Sequence, residues 1–239
     1  MHIPMDMHME NTTMDNLAVL QMIQVCDSLF PIGTFTLSNG LETFVCKEKV
    51  KNEQDLMTYL ESYMQILPYN ELGTMLLAFR HSDDEKYIQE LDQYSMALKL
   101  AMEVRKGTQK LCRRFLKTFA KIVDYPLLSR YEAWIVEGAC IGNHAVAVGL
   151  YAKEIKLEEK MAAAIYVYSL LSAIVTNTVK AVPLSQIGGQ RILNKCLEKV
   201  DMCIQEAQKI QIEDLGVGGT EFEMEAMNHE ILYSRLYMS

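Results

Sequence analysis

Residues 161–179 run without one formal charge. A stretch of that length must be shielded from water by a bilayer or by other helices, and the choice limits every fold open to the chain. The stretch carries Tyr166, Tyr168, Ser169, Ser172, Thr176, Asn177 and Thr178 beside four alanines. Those polar groups make its transfer into hydrocarbon too weak for a membrane span, so it reads as a central helix buried on most sides by its neighbours. The rest of the chain is punctuated just as sparsely. Only 5 Pro and 12 Gly fall in 239 residues, of which 50% are hydrophobic and 23% charged. That is a globular composition, and it favours long helices over many short strands.

Caps and breakers divide the chain further. A helix is expected from an Asp15 cap to about Cys26, with Leu17, Leu20 and Gln24 at helical spacing. An apolar loop over 27–35 follows, in which Pro31 bars a helix and Gly33 permits a turn. A short helix runs through Leu41, Phe44 and Val45. Asn52 caps another that ends before Pro68. Further helices are expected at Glu71–Arg80, Glu85–Ala97, 101–123, 127–137, 143–154, 158–181 and 190–210. Ser82 and Glu85 read as a capping box, and so do Thr220 and Glu223, which open a tail helix behind the only Gly-rich linker. No segment alternates with a period of two, and no repeat has a fixed period. The expectation is an all-α, single-domain bundle of about ten helices. Its parts are a flexible Met/His-rich amino terminus at 1–12, a helical body at 13–212, and a linker with a partner-docking tail at 213–239.

The chemistry-bearing residues exclude more than they assign. Lys plus Arg make 23 and Asp plus Glu make 31, a net charge of −8 that makes the chain a poor non-specific binder of nucleic acid. Cysteines 26, 46, 112, 140, 196 and 203 form no C-x-x-C pair, so they read as reduced small hydrophobes. Residues 1–10 lack the basic start and apolar core of a signal peptide, which points to the cytoplasm. Gly216-Val217-Gly218-Gly219-Thr220 lacks a phosphate-binding lysine and is followed by Glu221, Glu223 and Glu225; it is a linker and a cap. His229-Glu230 begins a zinc motif, but Tyr233 stands where the second His is required. His81 and His144 sit at helix ends as capping or packing groups, and no nucleophile elbow accompanies them. No catalytic constellation emerges.

Two features stay open. Met1, His2, Met5, Met7, His8 and Met9 cluster at the amino terminus, where His2 and His8 are candidate metal ligands unless the terminus is simply frayed. Between Lys99 and Lys121 lie eight basic residues opposed only by Glu103. Lys106, Lys110, Arg113, Arg114, Lys117 and Lys121 share one helical arc, while Leu111, Phe115, Phe119 and Ile122 share the other. That arc is either a solvated face or a docking face for an acidic partner. Beyond it, 213–230 holds six acidic residues and no Lys or Arg, and Ile231, Leu232, Tyr233, Leu236 and Tyr237 continue as an apolar helix. Such a segment gains order by docking.

Three stretches together resemble the UreF family of urease accessory proteins. They are Asp27-Ser28-Leu29-Phe30-Pro31-Ile32-Gly33 with Phe35, Ser38 and Gly40-Leu41-Glu42; Val179-Lys180-Ala181-Val182-Pro183-Leu184-Ser185-Gln186 with Gly189-Gln190; and His229-Glu230 with Leu232-Tyr233-Ser234-Arg235-Leu236-Tyr237-Met238-Ser239. The resemblance implies a helical, dimeric, non-enzymatic scaffold with no tightly bound cofactor. It sits between a UreD/UreH-type protein and the nickel-carrying GTPase UreG, in the complex that delivers Ni(II) to apo-urease. By motif position, Lys180, Pro183 and Leu184 match the loop on the GTPase-facing surface. Tyr233 and Arg235 match the tail that docks on the UreD/UreH-type partner, and Phe35 lies in the apolar loop of the first stretch. The family shares no Met/His-rich start, so a direct nickel-binding metallochaperone built on His2 and His8 is the alternative.

Overall fold

The local signals set most of the helix boundaries in a computed structural model of the chain, which describes residues 6–33, 38–233 and 235–237, with side chains from Asn16 onward. The order is α1 (Asp6–Cys26), α2 (Leu41–Cys46), α3 (Glu53–Ile66), α4 (Glu71–Arg80), α5 (Glu85–Ala97), α6 (Met102–Phe119), α7 (Pro126–Glu137), α8 (His144–Glu154), α9 (Glu159–Ala181), α10 (Gln186–Leu197), α11 (Val200–Ala207) and α12 (Thr220–His229). Among the described residues there is no strand, and the chain is an all-α single domain. Caps explain the starts. Asn52, Asn143 and Ser185 accept the Asp55, Ala145 and Gly188 N–H groups at 2.9 Å each. Pro126 opens α7 and Gly138, at φ 83°, closes it.

The centre is the α4–α8 pair. Residues 72–78 and 145–152 are all buried, because these two helices are apolar or small on every side. Gly149 lets them meet: a Cβ there would lie 2.2 Å from the Met75 carbonyl oxygen. Helices α6 and α7 cover α8, while α9 is packed by α1, α4 and α10. Two polar ties cross the layers. The fully buried Asp92 of α5 accepts the Tyr131 hydroxyl and the Ile141, Gly142 and Asn143 N–H groups, anchoring the turn before α8. Arg80 of α4 grips Glu159 of α9 through Nε at 2.8 Å and Nη2 at 2.6 Å.

Several expectations are corrected, although the one for the uncharged helix α9 holds: it packs against α1, α2, α3, α4, α8, α10 and α11, and within 161–179 only Met161, Tyr168 and Thr176 are exposed. It is the one helix among the described residues long and apolar enough to cross a membrane, by length and composition only. Helix α1 starts at Asp6, ahead of Asp15, since neither Pro nor Gly interrupts 6–26. It turns Ala18, Met22 and Val25 inward, leaving Leu17, Leu20 and Ile23 exposed. Asp84, not Ser82, caps α5, accepting the Tyr87 N–H at 3.1 Å. The single helix read at 190–210 is two, parted after Leu197 although no Gly or Pro marks the break. Thr220 caps nothing: Gly219, at φ 79°, precedes α12, and no side chain bonds its start. Helix α12 ends at His229, and the described residues of 231–237 are not helical.

Candidate functional site

Helix α2 begins at Gly40, whose φ of 88° a side chain rarely adopts. The space is taken as well, for a Cβ at Gly40 would lie 2.8 Å from the Ala226 nitrogen. That close approach seats α12 backbone to backbone on α2. Phe222 then enters an aromatic cluster, 5.5 Å from Phe44 and 5.1 Å from Tyr59 between ring centres. Outside it, Glu225 accepts Lys47 at 2.5 Å and Lys49 at 2.7 Å. Burial opposes the Glu225 charge, yet the two lysines and Asn228 outweigh it and hold its carboxyl at about 2. The acidic run is thus largely spent inside the chain. Glu223 accepts the Leu100 N–H at 3.1 Å and Glu230 the Met102 N–H at 3.0 Å, where the start of α6 offers unpaired donors.

The end of α12 carries a clamp that sequence reasoning missed. The His229 ring is fully buried, with Nδ1 2.7 Å from Glu103 of α6 and Nε2 2.9 Å from Glu42 of α2. A doubly protonated ring donates to both carboxylates, whereas a neutral one serves only one of them. The other Glu103 oxygen accepts Arg235 at 2.6 Å. Glu42 also accepts the Leu236 N–H at 2.6 Å and the Tyr237 N–H at 3.1 Å. The Tyr237 hydroxyl donates to the Asn177 carbonyl at 3.1 Å, three residues before Lys180 on α9. His229 reads in the sequence as half of a failed zinc motif and Glu103 as the lone acid among cations. Their partners are 126 and 187 residues away, and no local spacing reveals them.

Of the residues singled out from the sequence, Arg235 is in this clamp, half-exposed. Tyr233 is fully exposed, with Ile231 at 82% and Leu236 at 72% around it. Lys180, read from the sequence as a loop residue, is exposed in the last turn of α9. Pro183 is exposed and Leu184 half-buried in the turn joining α9 to α10, and Ile187 stands 74% exposed in the first turn of α10. Tyr237 therefore brings the tail to the same end of α9 as that turn. His2, Phe35 and the His8 side chain lie outside the described residues. Among the described residues, no group of three His, Cys, Asp or Glu is arranged to hold a metal ion.

Beside the clamp lies a cavity of about 330 Å³, whose lining includes Leu41, Asn177, Cys26, Tyr63 and His144. It also holds the ion pair of Glu71 with Lys99 at 2.8 Å. Burial works against the Glu71 charge, but the Lys99 ammonium wins and keeps that carboxyl below its ordinary value. Burial pushes His144 down to about 4, so at neutral pH it is an uncharged ring. Its amino-end position matches the packing role read from the sequence. All six cysteines are free, and burial raises Cys26, Cys140 and Cys203 to about 12, far from reactive.

The chain is similar throughout to known proteins. Residues 50–197 match the family model UreF. Urease accessory protein UreF of Actinobacillus pleuropneumoniae serotype 5b (strain L20) is 35% identical over 221 residues, covering 91% of this chain and 97% of that one. The protein of the same name from Haemophilus influenzae (strain PittGG) is 32% identical over 96% of this chain and 98% of its own length. That of Streptococcus salivarius (strain 57.I) is 30% identical over 92% and 94%.

Proposed function

Because the chain belongs to the UreF family of urease accessory proteins, we propose that it serves urease maturation as a non-enzymatic scaffold, bridging a UreD/UreH-type protein and a UreG-type GTPase. In this reading it acts in the cytoplasm, as a dimer within the complex. Nickel is cargo, which the assembled complex inserts into apo-urease while this chain regulates the GTPase.

The observation that carries the reading is the meeting of three distant stretches at one end of the molecule. Glu42 from the first accepts the Leu236 and Tyr237 N–H groups of the last, and the Tyr237 hydroxyl donates to Asn177, next to the second, while Arg235 of the last is held beside them by Glu103 of α6. The tail is held mainly through polar contacts and displays Ile231, Tyr233 and Leu236, apolar groups of the kind that anchor a helix or strap to another protein. The nearby junction of α9 and α10 displays Lys180, Pro183 and Ile187 separately, giving a second face for a second partner. The test is co-purification of the full chain with each partner. Arg235→Glu is expected to lose the UreD/UreH-type protein, and Lys180→Ala to weaken the GTPase, each with urease activation reduced and melting changed by only a few degrees. Normal assembly and activation by both variants would overturn the scaffold reading.

A further inference from the structure

We propose that the basic face of α6 is a docking surface for a carboxylate-rich protein face, carried by the same partner that receives the tail. The proposal rests on the scaffold reading and goes beyond it by assigning a surface and its chemistry.

Of the eight cations between Lys99 and Lys121, three are engaged within the chain. Lys99 pairs with Glu71. Arg105 donates to the Lys99 and Leu100 carbonyls at 2.6 Å each, and Arg114 to the Ile32 carbonyl at 3.1 Å. The other five, Lys106, Lys110, Arg113, Lys117 and Lys121, are exposed. Among the described residues none of the five has a carboxylate within 4.0 Å. At 100° and 1.5 Å per residue the four on α6 occupy an arc of about 60° and a length of about 17 Å, and Lys121 follows just past the end of the helix. Like charges three and four residues apart destabilise a helix, so the stripe carries a local cost. Carboxylates are not scarce in a chain of net charge −8. Outside this stretch Lys47, Lys49, Arg80, Lys160, Arg191, Lys199 and Lys209 are paired, while Lys51, Lys86, Arg130, Lys153, Lys156, Lys180 and Lys195, unpaired among the described residues, are scattered and form no such stripe.

Two observations select the occupant. Lys106 lies one turn beyond Glu103, the residue that holds Arg235, so a partner covering the tail meets the stripe without a gap. Exposed Ile122 and Val123 close its far end, and such groups are buried by a protein face rather than by a phosphate backbone. A folded acidic protein meets both the cations and the apolar end, and its charge would speed and orient docking.

The experiment uses the full chain with the UreD/UreH-type protein, comparing wild type with a triple Lys110→Glu, Arg113→Glu, Lys117→Glu variant whose fold is checked by circular dichroism. The wild type is expected to bind with an affinity that falls as salt rises, and the triple variant to bind roughly 30-fold more weakly at low salt. Equal, salt-independent binding by both would overturn this proposal and leave the scaffold reading intact. Absence of binding by the wild type would overturn the scaffold reading and this one with it. Duplex DNA and phosphatidylserine vesicles serve as phosphate probes. Charge-sensitive binding to either, with partner binding unchanged, would assign the stripe to phosphate and overturn the proposal.

Discussion

At the scale of single residues, the decisive groups are those whose charge is taken from water and then satisfied. His229 is the clearest. Its ring bridges Glu42 and Glu103 with no exposure, so His229→Ala leaves two largely buried carboxylates facing each other. The expected loss is about 3 kcal/mol in chemical unfolding, with faster amide exchange over 229–237. Stability unchanged and exchange unchanged would mean that the clamp holds nothing. Glu225 gives a pH signature. Its carboxyl is held at about 2 against an ordinary 4.5, so its contribution is complete above pH 4.5 and is lost as pH falls toward 2. Exchange within α12 is therefore expected to accelerate across that window, and Glu225→Gln to flatten the dependence. The Asp92 turn and the clamp share a lesson. Their residue types are visible in the sequence, but their partners are not, because each bond joins segments tens to hundreds of residues apart.

At the scale of elements, the tail is two things that the sequence presented as one. Helix α12 is part of the body: Phe222 packs among Phe44, Tyr59 and Tyr63, and Ala226 meets Gly40. Residues 231–237 are a strap, held by Glu42, Glu103 and Asn177. Deleting 231–239 is expected to lower the melting temperature by only a few degrees while abolishing binding of the UreD/UreH-type protein. Deleting 220–239 opens the aromatic cluster and is expected to cost several kcal/mol more, by analogy with the loss of a large buried side chain. Equal melting of the two truncations would show α12 to be peripheral. Most helix spans were legible beforehand, and Glu71–Arg80 and Glu85–Ala97 were read to the residue, because caps and breakers act locally. The α10–α11 break was not. The buried positions Ile192, Cys196, Val200, Cys203 and Ala207 keep a helical period straight through it.

At the scale of the whole molecule, the fold depends on how closely α4 and α8 approach. Gly149→Ala drives a methyl against the Met75 carbonyl and the Ala78 side chain, and is expected to cost about 2–3 kcal/mol in a denaturant titration. Gly138→Ala is the control, since it meets open space and only a strained φ, for about 1 kcal/mol. If the two variants unfold alike, the central pair has room to spare. The same scale decides which surfaces stay open, and so where partners can bind.

The sequence by itself determined the helical class, most of the helix spans and the cationic arc of α6, since periodicity, caps and charge spacing act within a few turns. Its family resemblance singled out Lys180 and Pro183 for one partner and Arg235 for another. Tertiary structure alone decided that Leu17 and Leu20 face outward, and that His229 is a buried bridge instead of a spare ligand. Burial is a property of what stands opposite, and a hydrophobic or charged residue carries no local sign of its distant neighbour. Only folding pairs Glu42 with His229 or leaves Lys110 without a carboxylate.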